Sequence, residues 1–399
     1  MVNRVSHKGS VLMNLCELEV LLFMFEKSYN ILFDHFQLNF PLLCYPIYAL
    51  IAVKNVLLYF VMLLAFSHKK GWFCTIVYIV LMWGCVYYTS IKFPFNMEYV
   101  SPLYFFFFAL LVLSKLIQTE YVRFESLIDL SIKVSRILAP LIILSRIIFP
   151  NGMSYMAFSD AISLPCALLV ANGYDGKRLD MYLGIISIVS VFLFGGRGSL
   201  LSLLLLFGLL ILFNRTEGKK VNPIYIILIV SAPVLFELLQ LFIDFSGSRT
   251  MQLFVSGEIG YDSSRSIIYE YLIQSLERDP ISGIGMRGDR ALLEGLNLGE
   301  SNVAYAHNVF LEILLTFGML IGSMIILFLM YLFIWKLLLK QMDCKIKGFL
   351  LSLFTVSFLQ LMTSRTFLTE TNLYILIFIL VNISFYNFKI KTSRISYEN

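Results

Sequence analysis

The chain has 399 residues and a formal net charge of +5; apolar residues make up 59% of it and charged residues only 14%. With a mean hydropathy of +0.81, this composition excludes an ordinary soluble domain and indicates a polytopic membrane protein. Basic loops on one side of a membrane account for the net charge, so nucleic-acid binding is not expected.

A membrane-spanning helix needs about 20 mostly apolar residues. The apolar segments that approach this length cover residues 12–33, 42–66, 71–90, 100–118, 127–148, 153–172, 180–195, 198–213, 223–243, 308–335, 348–365 and 370–388. We therefore predict an all-α protein with about 12 transmembrane helices, forming a single integral membrane domain over residues 1–399. The first segment carries Glu17 and Glu19 and lacks a small-residue cleavage site, which indicates a retained span.

Lysine and arginine in the short loops set the predicted orientation. The basic segments that fall on one side, predicted to be cytoplasmic, contain Arg4, Lys8, Lys69, Lys70, Lys177, Arg178, Arg215, Lys219, Lys220, Lys336 to Lys347, Lys389, Lys391 and Arg394. Both termini are then cytoplasmic, and residues 244–307, between the ninth and tenth spans, form one large external loop. No cysteine lies in that loop, so neither a disulfide nor a metal cluster is expected there.

The external loop has its own helical pattern. Between Ser264 and Glu277, apolar residues recur at the spacing of an amphipathic helix: Ile267, Ile268, Tyr271, Leu272 and Leu276. Asp279-Pro280 should end this helix. Gly283, Gly285 and Gly288 follow, which predicts a flexible or tightly turned backbone near Arg287 and Arg290.

The external loop is rich in arginine, although external segments normally carry few basic residues. It contains no lysine and five arginines: Arg249, Arg265, Arg278, Arg287 and Arg290. Guanidinium groups match phosphate oxygens two at a time. Pairing with neighbouring acids is the favoured interpretation for Arg278 and Arg290. An anion-binding role is favoured for Arg265 and for Arg197, which lies between glycines at the start of an apolar helix.

His307 precedes the apolar run of the tenth span. At an external helix N-terminus the helix dipole disfavours imidazolium, so His307 is a candidate general base. Asn308 and Glu312 lie one helical turn apart on one face of that helix, and Glu312 should sit about 7 Å into the span. A carboxylate at that depth needs a partner, and an arginine or His307 could provide one. No phosphate-cradling loop or dinucleotide fingerprint is present, and no cofactor or metal is expected.

Three motifs resemble those of the O-antigen ligase and polymerase superfamily of bacterial envelope proteins. The first is Gly196-Arg197-Gly198-Ser199-Leu200, at the start of a leucine-rich span. The second is Ser263-Ser264-Arg265, an amphipathic helix, and then Asp279-Pro280-Ile281-Ser282-Gly283-Ile284-Gly285. The third is His307-Asn308 followed, after nine residues, by Gly318. The resemblance covers most of residues 180–365, with Gly196 standing where the family has serine.

The resemblance implies an O-antigen polymerase, a metal-independent glycosyltransferase at the periplasmic face of the bacterial inner membrane. Its substrates would be oligosaccharide repeat units on undecaprenyl diphosphate, held in membrane lipid. Catalysis would rest on His307, Arg265 and Arg197, and the diphosphate would bind Arg197, Arg265, Arg287 and Arg249, with Asn308 and Glu312 in support. A chain-length regulator and a flippase are candidate protein partners.

Two alternatives remain. One is the O-antigen ligase, which transfers the glycan to lipid A-core; Gly322 stands one place later than the ligase pattern requires, and Arg197 to Gly208 and Arg249 to Gly260 fit the Arg-x10-Gly spacing of polymerases. The other is a flippase or transporter for lipid-linked oligosaccharides. Transporters tend to show two related halves and midplane ion sites, whereas the unusual charge of this chain lies on the external side.

Overall fold

The computed structural model describes residues 7–39, 41–68, 72–119, 121–149, 153–216, 263–294, 306–340, 342–363 and 365–385. The helices of these residues are α1 (His7–Met24), α2 (Glu26–Asn39), α3 (Pro41–Ser67), α4 (Trp72–Tyr78), α5 (Gly84–Lys92), α6 (Met97–Val100), α7 (Tyr104–Leu116), α8 (Phe124–Ile148), α9 (Tyr155–Tyr174), α10 (Arg178–Phe194), α11 (Arg197–Thr216), α12 (Ser263–Arg278), α13 (Gly288–Glu294), α14 (Val309–Tyr331), α15 (Cys344–Thr363) and α16 (Thr371–Phe385). Short π-helical segments at Ile79–Trp83 and Leu332–Leu339 extend α4 and α14. The described part of the chain contains no strand, so the all-α prediction is confirmed.

Six helices of the described residues are long and apolar enough to cross a membrane: Tyr45–Ser67, Thr75–Lys92, Pro94–Leu116, Tyr155–Tyr174, Val309–Leu339 and Cys344–Met362. Two shorter apolar helices cover Gly198–Phe213 and Thr371–Ile383. The chain is thus a helical membrane protein, while the count of twelve spans stays a prediction. One of those spans, 223–243, lies outside the described residues, as does much of the 244–307 loop.

Helix α9 is the centre of the bundle, where it packs against α8, α10, α11 and α15. Small residues let α10 approach closely. A Cβ atom at Gly173 would lie 2.6 Å from the backbone of Met181, and one at Gly184 would lie 3.2 Å from Val170. Close backbone approach at small residues is how membrane helices gain packing energy, because lipid removes most of the hydrophobic drive between them.

Ion pairs between distant segments mark the two ends of the bundle. At one end, which we call the His307 end, Arg365 after α15 pairs with Asp160 near the start of α9 and with Glu370 before α16. At the opposite end, Arg136 of α8 pairs with Asp180 of α10 at 2.6 Å. The start of α9, the end of α15 and the start of α16 therefore meet at one end of the bundle.

Candidate functional site

Residues 279–290, here called the docked segment, pack against a break in α14. Gly318 has a left-handed backbone (φ 76°) inside this helix, which frees two backbone groups. The Leu315 carbonyl accepts the Ile284 N–H at 2.8 Å, and the Met319 N–H donates to the Pro280 carbonyl at 2.7 Å. The docked segment thus supplies the hydrogen bonds that the broken helix lacks.

Glycine is required on both sides of this contact. A Cβ atom at Gly318 would lie 1.9 Å from the Ile281 carbonyl oxygen, and one at Gly283 would lie 2.3 Å from the Leu315 carbonyl oxygen. Both glycines also have positive φ angles, which other residues rarely adopt. Gly283 of the second sequence motif and Gly318 of the third therefore allow the two backbones to make contact.

The far side of the docked segment is held by the region around the end of α5. The Thr89 hydroxyl accepts the Met286 N–H at 3.0 Å, and the Asn96 amide donates to the Ile284 carbonyl at 2.9 Å. Met286 is completely buried. Of the flexible and tightly turned conformations left open by the sequence, the structure has the tightly turned one.

The predicted amphipathic helix is present as α12. Ile268, Leu272 and Leu276 are buried, and they pack in one apolar cluster with Ile284 and Leu315. The periodicity of the sequence therefore identified the buried face of this helix. The helix ends at Arg278, directly before Asp279-Pro280 as predicted.

Arg287 projects from the docked segment into the protein. It is 5% exposed, its backbone is left-handed (φ 60°), and its Nε atom has no hydrogen-bond partner among the described residues. Burial lowers the pKa of Arg287 to about 10, with Arg290 acting in the same direction and Glu312 and Asp289 opposing it. The guanidinium therefore stays charged at neutral pH, with a buried donor to offer an anion.

Two buried carboxylates lie beside this cation. Glu312, 3% exposed, accepts the Thr366 hydroxyl and the Phe367 N–H, the latter at 3.0 Å. Asp289 accepts the Ala306 N–H at 3.1 Å, and burial raises the pKa of its carboxyl against the lowering effect of that amide and the nearby arginines. We call Arg287, Asp289, Arg290 and Glu312 the Arg287 cluster. The arginine-partner interpretation of Glu312 agrees with its electrostatic interaction with Arg287.

His307 lies directly before α14, as the sequence predicted. Its backbone is left-handed (φ 49°), and Asn308 is the N-cap of the helix. The Asn308 Oδ1 atom accepts the N–H groups of Phe310 at 3.0 Å and Leu311 at 3.3 Å. Asn308 therefore supports the start of the helix at which His307 sits.

Arg197, Arg265 and Arg249 are the other arginines predicted to bind the diphosphate. Arg197 begins α11 and Arg265 lies in the first turn of α12, but their side chains lie outside the described part of the structure. Arg249 lies wholly outside the described residues. The turn before Arg197 is fixed at the His307 end, because the Gly196 N–H donates to the Ser159 hydroxyl at 2.5 Å.

A second set of charges, whose pairing the sequence did not predict, forms the Arg365 cluster: Lys27, Asp160, Arg365 and Glu370. Arg365 donates to Glu370 at 3.0 Å and pairs with Asp160, and Lys27 pairs with Glu370. The next residue, Thr366, holds Glu312, so the two clusters are joined through one turn. An acid inside each of two apolar segments, Asp160 and Glu370, was the signal available in the sequence.

Apolar helices surrounding buried cations and acids at one end define an integral membrane protein with a polar site at that end. Residues 182–326 match the family model described as O-antigen ligase, which confirms for this part of the chain the resemblance to the O-antigen ligase and polymerase superfamily. The family implies a glycosyltransferase-like activity on lipid-linked glycans. The match includes the Arg287 cluster and His307. Among curated proteins and solved structures, none matches the chain.

Proposed function

We propose that the protein is an O-antigen polymerase, which joins oligosaccharide repeat units carried on undecaprenyl diphosphate during lipopolysaccharide synthesis. The main support is that the family match, residues 182–326, contains both the buried Arg287 guanidinium and His307. A growing glycan on its lipid diphosphate is the donor, and a new lipid-linked repeat unit is the acceptor.

In the proposed reaction, an acceptor hydroxyl oxygen bonds to the anomeric carbon of the donor glycan. The bond from that carbon to the diphosphate breaks, and its electron pair leaves with the phosphate oxygen. Arg197, Arg265 and Arg287, with Arg249, stabilise this charge without a metal. His307 takes the hydroxyl proton as general base. Burial of Arg287 favours this role, since a desolvated cation interacts more strongly with developing negative charge.

The proposed orientation places the site at the periplasmic face. The end opposite His307 carries a set of basic residues, namely Lys115, Arg123, Arg136, Arg178, Lys340, Lys345 and Lys347. Cytoplasmic loops of membrane proteins are enriched in such residues. With that end in the cytoplasm of a bacterial inner membrane, both termini would be cytoplasmic.

The ligase is the second candidate, because the matching family model is described as O-antigen ligase. The two activities differ in their acceptor, which would be lipid A-core for the ligase. Deletion of a polymerase removes chains longer than one repeat and keeps one-repeat lipopolysaccharide. Deletion of a ligase removes both.

Complementation of a strain that lacks its own copy tests the site. The unaltered chain should restore the ladder of long chains, and Arg197→Ala and Arg265→Ala should each lose nearly all of it, since removing a charge-stabilising donor costs about 10²–10³ in rate. Arg178→Ala is the matched control, an exposed arginine near the opposite end of the bundle. Protein levels are compared by immunoblot. Normal ladders from both site variants would remove these arginines from the mechanism.

Arg287→Lys should make activity sensitive to alkaline pH. An ordinary lysine pKa is about 10.4, and the burial that lowers the pKa of Arg287 to about 10 would bring a lysine to about 8. The lysine then loses its charge as pH rises. The rate of the variant relative to the unaltered protein should fall between about pH 7 and 9.

The measurement uses purified protein and lipid-linked repeat units. Arg278→Lys is the control, because Arg278 is exposed at the end of α12, and its relative rate should not change with pH. A constant ratio for Arg287→Lys as well would show that the charge at position 287 does not matter for the reaction.

A further inference from the structure

The backbone of His307 is held in an unusual conformation. A left-handed residue other than glycine is disfavoured, so the surrounding structure must fix it. At His307 the φ angle is 49°. The direction of its imidazole depends on this backbone, which makes the contacts on either side of it important.

Contacts from separate elements fix this backbone. The Asp289 Oδ2 atom accepts the N–H of Ala306, the residue before His307, at 3.1 Å. The Tyr269 hydroxyl of α12 donates to the His307 carbonyl at 3.4 Å. Asn308, on the other side, caps α14. The bond from Asp289 is shorter than the bond from Tyr269.

The buried position of Asp289 allows its carboxylate to hold the chain segment at Ala306 rigidly. It is 3% exposed and lies in the first turn of α13, two positions after Arg287. Ala306 is completely buried. A buried carboxylate bonded to a buried amide fixes the distance between the two chain segments. One short element thus connects the cation proposed to bind the diphosphate with the proposed base.

We propose that Asp289 is a positioning residue, which holds His307 in register with Arg287 through the Ala306 amide. This inference rests on the proposed function of His307 as the base. The required property is an acceptor oxygen at the right place. Asparagine keeps that oxygen and loses the charge, alanine loses both, and glutamate keeps the charge but moves the oxygen by one methylene.

The test measures kcat and KM of the purified full-length protein with lipid-linked repeat units. Asp289→Ala should lower kcat by about tenfold to 100-fold, with KM within about threefold, because a base displaced by about 1 Å loses rate at this scale. Asp289→Asn should keep at least about a third of kcat and exceed Asp289→Glu. Glu277→Gln is the matched control, since Glu277 is an exposed acid near the end of α12 and its change should have no effect.

A kcat for Asp289→Glu above that for Asp289→Asn would overturn the inference, because it would make charge the important property. Full activity of Asp289→Ala would overturn it too. The glutamate and asparagine variants decide the matter even if the alanine variant does not fold. His307→Ala separates the two proposals: if it is inactive while Asp289→Ala is active, only the positioning role fails, whereas full activity of His307→Ala removes the proposed base.

Discussion

In a strain lacking its own copy of the protein, the His307→Ala variant should leave lipopolysaccharide that carries at most one repeat unit. General bases contribute about 10²–10⁴ to reaction rates. A polymerase slowed by that factor could not extend the lipid-linked glycans before the next step of lipopolysaccharide synthesis consumes them. His307 lies directly before Asn308, the N-cap of α14, and is the proposed base at that position.

Two controls separate the base from a structural role. The first control is His68→Ala. His68 follows α3, and its carbonyl accepts a hydrogen bond from Lys115 at the opposite end of the bundle. The ladder of long chains should persist in this variant. In the purified His307→Ala protein, added imidazole should restore part of the rate, because it supplies the missing base. A full ladder from His307→Ala at an equal protein level would contradict the assignment.

The second large effect is expected from Gly318→Ala, which should lower both the amount of folded protein and its activity. The new Cβ would overlap the Ile281 carbonyl, so the docked segment would have to move away. The backbone of Gly318 (φ 76°, ψ 172°) lies in a region populated essentially only by glycine, which costs alanine about 1–3 kcal/mol. Loss of the two backbone hydrogen bonds at Leu315 and Met319 adds about 1–3 kcal/mol. We therefore expect a destabilisation on the order of 3 kcal/mol.

The level in membranes and the size-exclusion profile in detergent measure this effect. Gly84→Ala is the matched control, because Gly84 is the first residue of α5 and a Cβ there would meet nothing within 4 Å. It should be neutral or slightly stabilising, since alanine is the better helix former. Gly283→Ala should reproduce the Gly318 defect from the other side of the contact. Unchanged levels for both variants would show that the two backbones need not touch.

Local sequence patterns predicted the elements of the site well. Apolar spacing identified α12, and the dipeptide Asp279-Pro280 marked its end. The polar pair His307-Asn308 before an apolar run marked the start of α14. These features depend on neighbouring residues, so a single sequence contains the information that determines them.

Contacts between distant segments could not be predicted in this way. Gly318 lies within an apolar run that predicts an uninterrupted span, and the helix breaks there because the docked segment supplies partners. Neighbouring acids were interpreted as partners for Arg278 and Arg290, yet the carboxylate of one such acid, Asp289, also holds the Ala306 amide. Lys27 and Glu370 pair across 343 positions of the chain, a separation over which local spacing carries no signal.

The break at Gly318 also bears on how the protein is made. The docked segment precedes α14 in the chain and is synthesised first. It therefore lacks its contacts with α14 until that helix has been inserted into the bilayer. Unpaired backbone groups are costly in lipid. We therefore expect α14 to insert as an uninterrupted helix and to break at Gly318 only when the docked segment packs against it. Maturation of this protein would then finish with a helix unfolding locally, after translation of the helix is complete.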